Sequence, residues 1–123
     1  MLNSRQLLGL EGEDLAHRFL KKKGYKLLLK NYKCPAGELD VIAKHEKYLV
    51  FIEIKTRSSL RMGSPAEALH FHKKRQVVKV AKHYLKRFGI KNVPCRFDVV
   101  LVLMASQKTP LIQLIPNAFG EEG

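Results

Sequence analysis

Acidic residues are scarce. The 123-residue chain carries 11 Asp and Glu against 23 Lys and Arg, a formal net charge of +12, with no basic tail to hold the excess. A positive field spread over a folded chain favours polyanions, because neutralising phosphates releases their condensed counterions. Nucleic acid is therefore the leading partner. An anionic membrane surface is the rival, but the sequence has neither a lipidation signal nor a helix pairing one basic face with large exposed apolar groups. Cysteine is limited to Cys34 and Cys95, far apart and without the paired spacing of a zinc site or a redox motif. Long apolar runs are missing too. The longest, residues 99–105, falls well short of the roughly 20 residues that span a bilayer, and Met1-Leu2-Asn3-Ser4-Arg5 lacks the apolar stretch of a signal peptide. These absences point to a soluble cytoplasmic protein with reduced thiols, and the length suits one domain over residues 1–123.

The periodicity of the apolar residues gives the elements. Leu8, Leu15, Ala16, Phe19 and Leu20 recur at helical spacing, predicting a helix over residues 7–23 that stops at Gly24. A strand follows over 25–32, then a turn at Pro35-Ala36-Gly37. Residues 38–43 and 48–56 are rich in Val, Ile, Leu and Phe around a polar turn at 44–47, the pattern of a hairpin. After a basic loop over 57–63, Ser64, Pro65 and Glu67 supply the N-cap, first position and capping-box acid of a helix start. Val77, Val78, Ala81, Tyr84, Leu85 and Phe88 form an apolar stripe ending at Gly89, and residues 97–104 and 111–115 read as two further strands. The order is helix, three strands, helix, two strands.

Two charges interrupt the hairpin where apolar residues would be expected. In Val50-Phe51-Ile52-Glu53-Ile54-Lys55, alternation puts Phe51, Glu53 and Lys55 on one face. Asp40, between Leu39 and Val41 on the preceding strand, lies nearly symmetric with Glu53 about a turn centred near Glu46. Two adjacent carboxylates repel, so such a pair usually marks a cation site, and oxygen ligands suit Mg²⁺ or Mn²⁺. Lys55 would then orient a nucleophile or offset charge on a phosphoryl group. Glu13 aligns with Ala16 and Leu20 on the apolar side of the first helix, which adds a third carboxylate to the predicted metal set of Asp40, Glu53 and Glu13; the alternative is a first-turn Glu, beside Glu11 and Asp14, favoured by the helix dipole. Against this stands a solvated sheet edge in which Glu53 and Lys55 merely offset each other. Arg57 and Arg61 follow the site, and Lys73, Lys74, Gln76 and Lys79 stand on the second helix as candidate nucleic-acid contacts. Asp98 is expected to satisfy Arg96 or a backbone donor, with a further site acid as the alternative, and His70 and His72 to lie at the surface.

The strings GELD at residues 37–40 and FIEIKTR at 51–57 resemble the GEIDLI and VEVKTR motifs of the YraN family. That family is classed with the PD-(D/E)XK nucleases near the Holliday-junction resolvases. The likeness extends through GLEGEDLAHRFLKKKGYKLL, GSPAEAL, RFDVV and NAF. Leu39 departs from the usual Ile, Ile54 from Val, and His70-Phe71-His72 from Thr-Pro-Arg. The resemblance implies a restriction-endonuclease-like α/β core with a central mixed five-stranded sheet flanked by helices in the order α-β-β-β-α-β-β. It implies that Asp40, Glu53 and Lys55 form the metal-and-lysine motif, that Glu13 is the first-helix carboxylate, that Lys73 and Gln76 are auxiliaries, and that the protein is a homodimer. The expected activity is metal-dependent endonucleolytic hydrolysis, with DNA favoured over RNA and branched DNA as one substrate class. The alternative is a module that keeps the fold and binds nucleic acid without cutting, or an adaptor for another protein.

Overall fold

The computed structural model describes residues 2–58, 70–104 and 109–121. Helix α1 spans Ser4–Lys22. It begins earlier than the apolar pattern predicts because Asn3 and Gln6 form a reciprocal cap, the Asn3 side chain accepting from the Gln6 N–H at 2.8 Å and the Gln6 side chain accepting from the Asn3 N–H at 2.9 Å. The helix stops at Gly24, whose φ of +91° suits glycine alone. Tyr25 N–H then reaches back to the Leu20 carbonyl at 3.0 Å, which closes the last turn.

Strands β1 (Lys26–Cys34), β2 (Gly37–His45) and β3 (Tyr48–Arg57) form an antiparallel meander. The hairpin turn is shorter than predicted: β2 and β3 pair out to His45 and Tyr48, leaving only Glu46 and Lys47, with Glu46 at φ +55°. Helix α2 (Phe71–Arg87) carries the chain over the sheet so that β4 (Cys95–Leu103) lies parallel to β3. Like α1, α2 ends in a glycine in the left-handed region, Gly89, with Ile90 N–H bonded to the Leu85 carbonyl at 2.9 Å. Strand β5 (Leu111–Phe119) closes the sheet antiparallel to β4 and runs past the predicted end to include Pro116, which an edge strand tolerates. The sheet is mixed, in sequential order β1-β2-β3-β4-β5. The α/β architecture and element order are those expected from the sequence. The predicted helix start at Ser64, Pro65 and Glu67 lies outside the described residues.

Each sheet face is covered by one helix. Ala16 and Leu20 of α1 pack on Val41, Ala43, Val50, Ile52, Ile54, Val100 and Val102. On the other face Val77, Val80, Ala81 and Tyr84 of α2 meet Leu39, Ile42, Phe51 and Phe97. The α2 stripe runs through Leu85, which packs against the same core, but not to Phe88, which is the C-cap and is 53% exposed. β3 is buried on both faces because both helices lie against it, which accounts for its nearly continuous apolar run.

At the hairpin end of the sheet a fully buried carboxylate ties three segments together. Asp98 accepts from Tyr25 Oη at 2.7 Å, from Arg96 Nε at 2.9 Å and from the Asn117 N–H at 2.9 Å. Asp98 therefore satisfies both Arg96 and a backbone donor. Asn117 holds φ +51°, and the bend there aims its N–H at Asp98 while Phe119 stacks on Phe97 at 5.1 Å. Replacing Asp98 with Ala leaves Arg96, Tyr25 and the Asn117 N–H without their shared acceptor. The expected loss is about 3–5 kcal/mol, measured by urea unfolding of Asp98→Ala; a loss below about 1 kcal/mol contradicts a structural role for this carboxylate.

Candidate active site

The geometry of the site follows from a break in the sheet. Regular β2–β3 pairing runs from His45–Tyr48 as far as Val41–Ile52. At the next position Asp40 and Glu53 still face each other, but side chains replace the ladder. The Ile54 N–H donates to Asp40 Oδ2 at 2.7 Å, and the Asp40 N–H points at Glu53 Oε1 at 3.4 Å. Alternation fails at the same place: Leu39 and Val41 are two residues apart yet belong to cores on opposite faces. The Asp40 carboxylate is thus held between the strands and influences groups on both sides of the sheet. Glu13 of α1 feels its charge from one face, and Lys73 of α2 from the other.

The two carboxyls are unequal to ordinary surface acids. Glu53 is 3% exposed, and burial followed by the repulsion of Asp40 pushes its pKa up to about 7. Asp40 is also raised by burial, with the Ile54 N–H, Lys73 and Lys55 pulling the other way. Glu13, half-buried, is raised by burial and by Asp40. Lys73 Nζ sits 3.4 Å from Glu53 Oε2 and donates to Gln76 Oε1 at 3.2 Å. Lys55 lies two residues along β3 from Glu53 and is partly exposed, close enough to favour the ionised form of both acids.

The structure brings together Asp40, Glu53, Lys55 and Lys73, with Glu13 at the rim and Gln76 behind Lys73. Among the described residues no three His, Cys, Asp or Glu side chains converge as a ready metal cage, so Glu13 stands near the pair without closing a triad. Arg57 ends β3 partly buried, while Lys74 and Lys79 lie on α2 away from the carboxylates. Arg61 falls outside the described residues. His70 and His72 are exposed, as expected.

Sequence reading overlooked the residues that hold these groups in place. Gly12 is buried against the Thr56 side chain, which a Cβ at that position would overlap, so the glycine sets α1 close enough to β3 to present Glu13. Gly37 has φ +139°, and a Cβ there would lie 2.6 Å from the Gln76 amide. A mid-helix glycine is a recognisable signal for close approach; Gly37 was legible only as part of a turn. His17, one turn beyond Glu13, is half-buried, its pKa lowered by burial and then by Lys30, with Asp40 opposing.

The Glu53 shift has a definite sign. Its folded pKa of about 7 lies above the ordinary 4.5, so the folded protein holds a proton that the unfolded chain releases. Ionisation cost is absent below about pH 4.5, grows as pH rises, and is fully present above about pH 7. In EDTA, Glu53→Gln is expected to gain on the wild type by roughly 2–3 kcal/mol between pH 4.5 and 7.5, read by urea unfolding at each pH. A pH-independent difference contradicts a buried, strained Glu53.

Residues 12–102 match the family described as Uncharacterised protein family UPF0102. A UPF0102 protein of Caldicellulosiruptor saccharolyticus is 46% identical over 119 residues, 96% of this chain and 100% of its own length. Another, of Caldanaerobacter subterraneus, is 42% identical over 118 residues, covering 94% of this chain and 97% of its own. A third, of Desulfosudis oleivorans, is 43% identical over 119 residues. With nearly full-length similarity and the GELD and FIEIKTR segments at the centre of the site, the chain belongs to the UPF0102 family, also known as the YraN family.

Proposed function

We propose that the protein is a divalent-metal-dependent endonuclease that hydrolyses phosphodiester bonds, with DNA as the preferred substrate. The observation that supports it most is the Asp40–Glu53 pair at the parting of β2 and β3, buried, mutually repelling and flanked by two lysines. A pair of oxygen ligands both raised by desolvation, Glu53 further by the charge of Asp40, is suited to a hard cation, and Mg²⁺ is commonly held by one or two carboxylates with waters completing its shell. Asp40 and Glu53 would bind the ion directly, with Glu13 holding one of its waters. The metal supplies a water more acidic than bulk and a positive charge for the phosphoryl oxygens.

The chain's own groups do the remainder. Asp40 is held by the Ile54 N–H, so its second oxygen is directed without loss of side-chain freedom on binding. Lys55, on the same strand face as Glu53, positions the attacking water through its Nζ and offsets the charge that develops on the phosphate. Lys73 neutralises Glu53, and Gln76 fixes the direction of its ammonium.

A second reading is favoured by that ion pair: Lys73 already supplies a cation to Glu53, so the same pocket suits a module that binds nucleic acid without cutting. The two readings part in one experiment. Wild type, Asp40→Asn, Glu53→Gln and Lys55→Ala are incubated with labelled linear duplex, single-stranded and four-way-junction DNA and with RNA, in Mg²⁺, Mn²⁺ or EDTA. The hydrolase reading expects cleavage only with metal, abolished by the two carboxylate changes and slowed roughly 10²–10³-fold by Lys55→Ala. Cleavage unaffected by both carboxylate changes contradicts it, and binding without cleavage by all four proteins supports the module. The homodimer expected of resolvase-like relatives is read in the same preparations by sedimentation.

A further inference from the structure

Helix α2 carries seven Lys and Arg and no Asp or Glu, yet only Lys73 among them engages the carboxylate site. The others are not scattered evenly. At about 100° per residue, His72, Arg75, Gln76 and Lys79 share one face with His83, Lys86 and Arg87, within an arc of about 120°. Val77, Val78, Ala81 and Tyr84 are buried on the opposite side, Val80 is buried at the edge of the arc, and Lys74 and Lys82 fall outside it.

This stripe borders two hollows at the β1–β2 turn. The first, of about 340 Å³, lies between Ala36 and the side chains of Arg75, Gln76 and Lys79. The second, of about 620 Å³, lies between Pro35 and the side chains of His83, Lys86 and Arg87. Among the described residues no carboxylate lines either one. Both are open and shallow in character, unlike an enclosed ligand pocket, and their shared wall is the same two-residue turn. The stripe also starts at the candidate site: Gln76 lines the first hollow and accepts from Lys73, which reaches Glu53. From position 72 to 87 the helix rises about 22 Å, enough to follow several successive phosphates of one strand.

We infer that the α2 stripe and the Pro35–Ala36 turn form a track for the sugar-phosphate backbone of one nucleic-acid strand, leading into the Asp40–Glu53 site. The inference rests on nucleic acid being the substrate of that site. Lysine and arginine at helical spacing read charge and shape and carry no base code, so the track selects a nucleic-acid backbone in general and a base sequence hardly at all. Its geometry places the bound strand over α2, and leaves the α1 face of the sheet out of contact.

The test compares two triple variants that remove the same charge. Lys79→Ala, Lys86→Ala and Arg87→Ala empty the track; Lys21→Ala, Lys22→Ala and Lys23→Ala empty the end of α1 on the other face. All six side chains are exposed, so both proteins are expected to fold, as checked by urea unfolding. Binding to a labelled DNA duplex is measured in EDTA from 50 to 300 mM salt, where cleavage plays no part. The track variant is expected to lose ten- to a hundredfold in affinity at 100 mM salt and to lower the salt slope by about 2–3, while the α1 variant loses less than threefold. Equal losses in the two variants overturn the track, as does a wild type that binds no duplex. Metal is then added to the same proteins. Cleavage by wild type with equal losses in the variants removes the track and leaves the hydrolase reading intact; selective loss of binding without cleavage anywhere does the reverse.

Discussion

Past the Val41–Ile52 pair the β2–β3 ladder gives out, and the Ile54 N–H that a continuing strand would have satisfied is taken by the Asp40 carboxylate. A buried backbone donor left open costs as much as a lost hydrogen bond, so the strand break and the acid at position 40 require each other. The same substitution of side chain for backbone fixes Asp40 in the plane of the sheet, within electrostatic reach of α1 and α2 together. Glu53 on the facing strand then has no way to avoid it. Much of what surrounds the site compensates for that enforced proximity: Lys73 and Gln76 come from α2, Lys55 from β3, and Gly12 and Gly37 let the neighbouring elements approach.

The chain handles its two buried acidic centres differently. Asp98 is surrounded by donors, among them the Arg96 guanidinium, the Tyr25 hydroxyl and a backbone N–H, and holds the hairpin end of the sheet to β5 and to the segment after α1. The Asp40–Glu53 pair has fewer donors and two like charges, which is a poor arrangement for stability and a good one for capturing a cation. That contrast sets a fully satisfied carboxylate beside a strained pair in one small sheet.

Helical and alternating periodicity were enough to read the order of elements, because β3 is apolar on both faces and α2 on one. Boundaries were less legible where local chemistry overrides hydrophobicity, as at the Asn3–Gln6 cap of α1 and at the Asn117 bend that extends β5 around Asp98. The Asp40–Glu53 juxtaposition could be anticipated by counting from the hairpin turn, and the true turn at Glu46–Lys47 puts the two directly opposite. What counting could not supply is that alternation fails at Asp40, since period-2 reasoning assumes a regular strand. The Lys73–Glu53 pair was beyond it too, because it depends on how α2 is set over β2 and β3, a tertiary placement that spacing along one helix does not encode.

The central claim is that Asp40 and Glu53 together hold a divalent cation. A crystal of the wild-type protein soaked in Mn²⁺, with data collected for anomalous scattering, addresses it without reliance on any substrate. The account predicts one strong anomalous peak within coordination distance of oxygens from both carboxylates, with waters at the remaining positions. A map with no peak there at millimolar Mn²⁺, and with Lys73 still paired to Glu53, contradicts it.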